Sequence, residues 1–433
     1  YKLPKMYQFW VKNAFYKIVG DWQNAAENAR LFVTLYPQDP QGSYELAYHY
    51  GRMNRPDLAI AEYQRILELD PGSHFNLRNI GDLFKEKGEY EQALKYYEYY
   101  AEIYPHESRS FTAIGDVYRS IGEHEQANAY YKKARLIEPE SVPILLDLAG
   151  IEVRMGNFVE AEQRYQSALK LAKTPQDRAP VHHALSGYHK FRGRIAQAIE
   201  HYNLFISELE TYASPLDLLL ARSDVFGTIE LYILAGQPDK AWKVAKDFEA
   251  QAQQLVSPWN KAAPYLYIWY YVWLGDPENA DALRENVGDI EAFLRETDMG
   301  FVRPYMRFAR GIIHEFRNEY SLAIMEYEQA LSEMEPPNYY KSFVRTFIGK
   351  WYRKLNEFKK AEEALQKALI LYRAFPKAHY ELALVYHEIG KHEKSLEHLK
   401  TALKVWEDAD PQYRPAKKAK EKLEETQLIT GRM

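Results

Sequence analysis

Apolar, small and turn-forming residues recur along this chain with a fixed period. Prolines stand at Pro37, Pro71, Pro105 and Pro139, each 34 residues from the next. One pattern runs ahead of each. In one copy it is Gly81, Phe84, Gly88, Tyr90, Ala93, Tyr97 and Pro105; the next reads Gly115, Tyr118, Gly122, His124, Ala127, Tyr131, Ala134 and Pro139. Self-similarity at a period of roughly 20–50 residues marks stacked supersecondary units. The register extends over most of the chain, with copies starting near residues 6, 40, 74, 108, 142, 179, 222, 261, 304, 342 and 376. The fifteenth residue is Gly or Asn in all of them: Gly20, Asn54, Gly88, Gly122, Gly156, Gly193, Gly236, Gly275, Asn318, Asn356 and Gly390. These residues tolerate the left-handed conformation that ends a helix. The twentieth is Ala25, Ala59, Ala93, Ala127, Ala161, Ala198, Ala241, Ala280, Ala323 and Ala361, then Ser395. A small side chain there lets two helices pack closely. Tyrosine recurs at the eleventh position (Tyr50, Tyr118, Tyr386) and the twenty-fourth (Tyr97, Tyr131, Tyr327), as inter-helix packing with a polar tip.

This pattern resembles the tetratricopeptide repeat, a helix–turn–helix unit of 34 residues. The resemblance implies an all-α, right-handed α-solenoid of about eleven repeats. The first five starts are evenly spaced, whereas extra residues fall at Thr174 to Arg178, Thr211 to Ala221, Ser257 to Asn260 and Asp289 to Arg303. The expected organisation is a regular array over 6–175, a degenerate middle over 176–303 with longer second helices or loops and a bend, regular repeats over 304–409, and a capping helix and tail over 410–433. Solenoids need such polar ends.

Composition narrows the function. Lys plus Arg is 56 against 61 for Asp plus Glu, a formal charge of −5, which argues against a dedicated nucleic-acid binder. The chain has no cysteine, which excludes disulfides, thiolate metal sites and thiol nucleophiles. Cys-free chains occur in either redox environment; the cytoplasm is favoured over the periplasm, and the compartment stays open. The apolar stretch Ala262 to Leu274 contains Pro264 and is too short to span a membrane. The chain starts at Tyr1 rather than Met, so the start is processed, trimmed or part of a longer protein, and a missing N-terminal domain is one of these readings.

Catalytic motifs are not found, and the chain is read as a non-enzyme with no cofactor and no metal. His387, Glu388 and His392 approach a zinc-protease motif, but the spacing is one residue too long and Gly390 interrupts it. His182, His183 and His189 share a predicted helix without a third ligand. A site hidden between Thr174 and Arg303, or a membrane-surface role for Tyr265 to Trp273, are weaker readings.

The family resemblance implies a groove lined by positions two, five, nine, twelve and thirteen of each first helix. Carried over, these give a cationic strip of Arg78, Lys85, Arg109, Arg119, Arg154 and Lys190, interspersed with Asp82, Glu86 and Asp116. It suits an acidic or C-terminal peptide segment held by charge-assisted hydrogen bonds. Family members that clamp a terminal carboxylate place Asn at position nine. Asp82 and Asp116 stand there in this chain, which puts that clamp in doubt. Two aromatic groups share the predicted face. Tyr265, Trp269, Trp273, Tyr305 and Phe308 are either hot-spot candidates or buried by the longer middle helices. Tyr7, Trp10, Tyr44 and Tyr48 suit docking of a preceding segment. The expected function is a scaffold that binds a peptide or protein segment in this groove. The alternative is the sensor arm of a larger signalling protein, since the chain also looks similar to the C-terminal repeat regions of bacterial multidomain proteins carrying a cyclase, kinase or transcription-regulator domain.

Overall fold

Each period folds as two helices joined by a short turn. The computed structural model describes residues 4–222, 227–255, 257, 259–296, 302–334 and 339–431. Among these the chain is built of α-helices and two short 3-10 turns, with no strand. Residues with positive φ in the described chain are Gly20, Asn54, Gly88, Gly122, Gly156, Gly193, Gly236, Gly275, Asn318, Asn356 and Gly390, one at the turn of every repeat. The left-handed residue stops the first helix and lets the second return against it. The twentieth-position residues are completely buried where the helices cross, from Ala25 to Ser395, with one departure. Ala280 is only half-buried, because a 3-10 turn over Pro277–Asn279 delays the second helix and Leu283 takes the buried place.

The helices group into two compact units divided after Pro139. Unit one holds α1 (Lys5–Val19) with α2 (Trp22–Leu35), α3 (Pro40–Arg52) with α4 (Pro56–Leu69), α5 (Phe75–Glu86) with α6 (Tyr90–Ile103), and α7 (Ser108–Ile121) with α8 (His124–Ile137). Its core is built from residues such as Phe32, Leu46, Ile80 and Tyr97.

Unit two holds α9 (Val142–Met155) with α10 (Phe158–Leu171), and α11 (Pro175–Phe191) with α12 (Ile195–Leu209). A short α13 (Pro215–Arg222) precedes α14 (Thr228–Leu234) with α15 (Pro238–Ala252). Then follow α16 (Pro264–Leu274) with α17 (Ala280–Glu296), α18 (Arg303–Phe316) with α19 (Tyr320–Glu333), and α20 (Tyr339–Lys354) with α21 (Phe358–Leu371). The last are α22 (Pro376–Glu388) with α23 (His392–Val405), and α24 (Arg414–Thr430).

The extra residues of the middle are used in different ways. Thr174 to Arg178 lengthen a first helix, not a second: Thr174 and Asp177 form a reciprocal capping box at the start of α11. Most of Thr211 to Ala221 becomes α13, and Asn260 joins a 3-10 turn at Trp259–Lys261. Asp289 to Glu296 extend α17 to 17 residues, and the remainder up to Phe301 lies outside the described residues.

Unit two folds back on itself. The Arg154 guanidinium donates to the Leu371 carbonyl (2.8 Å) and lies 4.8 Å from the Tyr372 ring centre. The Ala374 amide donates to the Arg154 carbonyl (3.1 Å). Arg192, itself buried, donates to the Val405 carbonyl (2.7 Å) and to Asp408 (3.0 Å), and Arg194 reaches the same carboxylate (2.7 Å). The Asp410 amide donates to the Gly193 carbonyl (3.0 Å), while its carboxylate accepts from the Ala196 amide (2.9 Å). That places a negative charge on the exposed N–H groups at the start of α12. The turns after α9 and α11 therefore sit on the loops after α21 and α23.

Candidate functional site

In unit one the first helices α1, α3, α5 and α7 present one face. Neighbouring helices touch across it: Lys17 pairs with Glu45 (2.5 Å), the Tyr44 and Phe75 rings are 6.2 Å apart, and Lys85 lies 3.9 Å from Asp116. Position nine has a structural task here. Tyr97 donates its hydroxyl to Asp82 (2.6 Å), and Tyr131 to Asp116 (2.8 Å). Both rings lie on a glycine of the first helix. A Cβ at Gly81 would stand 2.6 Å from Tyr97, and one at Gly115 would stand 2.7 Å from Tyr131. Burial and the Asp82 carboxylate hold the Tyr97 phenol far above its ordinary range. These carboxylates anchor tyrosines of the second helices, a role that charge pattern alone did not reveal. The recurring Gly, Asp and Tyr of repeats three and four carried the signal.

The strip residues of unit one divide by partner. Asp116 receives Arg119 (2.7 Å) as well as Lys85. Arg78 is half-buried and Arg109 exposed, and among the described residues neither forms an ion pair. Phe75 and Tyr48 on α5 and α3 have relative exposures of 46% and 40%, and Tyr44 is half-buried. Tyr48 carries Lys17 at 4.9 Å from its ring. Phe75, absent from the sequence reading, completes this aromatic margin. Trp10 packs against Phe9 and Phe32, while Tyr7 is exposed on α1. Deeper in the face, Asn13 and Lys17 hold the buried Glu45, and His49 pairs with Asn13 (2.7 Å).

In unit two the strip continues differently. Arg154 is engaged by Leu371 and Tyr372, and Lys190 lies 3.2 Å from the buried Glu230, which also approaches Lys377 (3.8 Å). The second aromatic group is brought together inside the core. Trp269 and Phe308 are buried with ring centres 6.2 Å apart. Tyr265 and Tyr305 meet the Trp269 edge, and Trp273 packs on Phe343. Trp269 and Phe308 thus lie within the packing and not on an accessible face.

The histidines of interest make local contacts. The His182 and His201 rings pair (3.1 Å), and His189 stacks on His201. His387 contacts Thr426 (3.1 Å) and Glu425 (3.4 Å) of α24, and Gly390 turns the chain before His392. Among the described residues no three His, Asp or Glu side chains form a group suited to a metal, and no helix is long and apolar enough to cross a membrane.

Two family models, both described as the tetratricopeptide repeat, match the chain. One covers residues 119–186 and the other 19–74, 78–143 and 348–414. Together they span more than half of it, and the chain belongs to the tetratricopeptide repeat family. The family's helical repeats are a protein-interaction fold, generally of non-enzymatic scaffolds, and they support a protein–protein interaction role here. A tetratricopeptide repeat protein from Parabacteroides merdae is similar over 71% of this chain and 97% of its own, at 17% identity and a TM-score of 0.41. The pilF protein of Pseudomonas aeruginosa is similar over 48% and 92%, at 20% identity and a TM-score of 0.36. MamA from Desulfovibrio magneticus is similar over 38% and 93%, at 17% identity and a TM-score of 0.35. No curated protein matches the chain.

Proposed function

We propose that this protein is a scaffold that binds an extended, acidic segment of a partner protein on the first-helix face of unit one. One contrast carries the reading. Arg78 and Arg109 have no carboxylate partner among the described residues, whereas Arg154 and Lys190 are committed to contacts within unit two. Arginine recognises a carboxylate through paired N–H donors, and such bonds are about twice as strong as neutral ones. Tyr44, Tyr48 and Phe75 supply rigid apolar area on the first helices α3 and α5, and tyrosine and arginine are residue types that anchor interfaces. Lys85 and Arg119, steered by Asp116, extend the positive edge.

The test is selection from an unbiased displayed-peptide library. The wild-type protein should enrich peptides rich in Asp and Glu with an interspersed aromatic or aliphatic residue. A variant carrying Arg78→Glu and Arg109→Glu should lose them. Enrichment of the same peptides by both proteins would place the site elsewhere.

One observation favours the second reading, a regulatory arm of a larger signalling protein. Val11, Phe15 and Ile18 of α1 are exposed, although the position of Phe15 is buried in the next three repeats as His49, Leu83 and Val117. A further domain of the same protein would find an apolar seat there. Changing Val11 and Phe15 to Ser should then weaken regulation without altering peptide selection; regulation unchanged by those substitutions would count against this reading.

A further inference from the structure

Unit two contains a cavity of about 310 Å³ between α9, α11 and the side chains of Tyr340 and Tyr372. Two glycines make room for it. A Cβ added to Gly150 or to Gly187 would meet nothing within 4 Å. Both occupy the ninth position of their repeats, where Asp82, Asp116 and Glu230 stand in neighbouring copies. The chain thus omits a carboxylate at the two places where one would enter this cavity.

The lining that remains has one sign of charge. Arg154 and Lys190 contribute cations, and no lining residue is Asp or Glu. Glu230 lies just beyond, shared between Lys190 (3.2 Å) and Lys377 (3.8 Å). The Leu371 carbonyl and the Tyr372 ring fix the Arg154 guanidinium in place. A donor held in position loses less freedom on binding than a mobile one. Aromatic side chains, Tyr165 and Tyr340 among them, line the rest of this half-open cavity. Small-molecule sites span roughly 300–1,000 Å³ and combine mostly apolar walls with a few placed polar groups.

We propose that this cavity binds a small planar anion, an aromatic carboxylate, with its ring between the tyrosines and its carboxylate toward Arg154 and Lys190. The site is separate from the peptide face of unit one and does not depend on it.

Calorimetric titration of the whole protein with indole-3-acetate, beside the neutral indole-3-acetamide, tests the proposal. The acid should bind more tightly than the amide by about tenfold or more, as expected for loss of a charge-assisted bond. Gly187→Leu directs a side chain into space that is open at its Cβ and replaces a poor helix former with a good one. It should abolish binding while the protein keeps its unfolding temperature, and Gly150→Leu provides an independent filling of the same space. Lys190→Gln should weaken binding of the acid and leave that of the amide unchanged. Arg78→Glu with Arg109→Glu should change neither. Equal binding of acid and amide, no binding at millimolar concentration, or undiminished binding by both filled variants would overturn the assignment.

Discussion

Gly115, Asp116 and Tyr131 show how one residue triplet ties two helices. The tyrosine ring needs the glycine below it, and its hydroxyl needs the carboxylate beside it. The arrangement recurs at Gly81, Asp82 and Tyr97, and with a shifted acid at Gly311, Glu315 and Tyr327. Not every helical glycine is of this kind. Gly115→Ala should lower stability by about 1–3 kcal/mol, because the methyl group overlaps a buried ring. Gly187→Ala should raise it by up to about 1 kcal/mol, because the methyl meets open space and alanine favours the helix. Urea denaturation of the two variants gives both values; equal effects would contradict the role of the tyrosine contact. In the sequence, Asp82 and Asp116 were legible as charges on the groove face. Their bond to a tyrosine of the following helix was not, since charge pattern records a face and not a partner on another helix.

At the scale of helices, the turn residues and crossing alanines were readable because local stereochemistry dictates them: a left-handed φ selects Gly or Asn, and a close crossing selects a small side chain. Ala280 escaped because a 3-10 turn shifts its helix by a few residues, which no propensity encodes. The helix pairs also bury imidazoles. His379 contacts His398 (2.8 Å) and the Arg373 carbonyl (2.9 Å), and burial holds it down to about 4. His49 is likewise lowered to about 4, and His189 to about 3. Their unfolded counterparts titrate near 6.5. Between those values the unfolded chain binds more protons, so stability falls as pH drops from about 6.5 to 4. Glu315 acts in the opposite sense. Burial pushes it up to about 7, so the folded state retains a proton that the unfolded chain releases, and this contribution is lost as pH rises from about 4.5 to 7. Glu315→Gln should therefore leave stability near pH 4 unchanged and raise it above pH 7. Urea midpoints measured from pH 4 to 8 test this, and a variant weaker than wild type at pH 8 would refute it.

For the molecule as a whole, the decisive feature is that unit two closes through Arg154, Arg192 and Asp410. Nothing in the sequence announces it. Repeat positions identify which face a residue occupies, and the partners here lie in loops five repeats further along. Arg154 and Lys190 consequently read as members of the same strip as Arg78 and Arg109. The aromatic residues around Trp269 fit either a surface or a buried cluster for the same reason, since period and face do not report what packs over them; burial is the outcome for Trp269 and Phe308. Arg192→Ala should open the closure locally. Hydrogen exchange at the Asp410 amide, which donates to the Gly193 carbonyl, should rise by about tenfold or more, while α18 and α19 keep their protection. Uniform loss of protection across unit two would mean that the contact supports the fold and is no separate latch.

The division between cations that bind the partner segment in unit one and cations that do not, being held within unit two, is the central claim. Fluorescence anisotropy with an acidic peptide taken from the library selection, recorded from about 50 to 500 mM salt, tests it most directly. Arg78→Ala with Arg109→Ala should weaken binding by about tenfold or more and flatten the salt dependence, with no change in unfolding temperature. Arg154→Ala should lower the unfolding temperature and leave peptide affinity intact. The reverse pattern, affinity lost with Arg154 and retained without Arg78 and Arg109, would contradict the account.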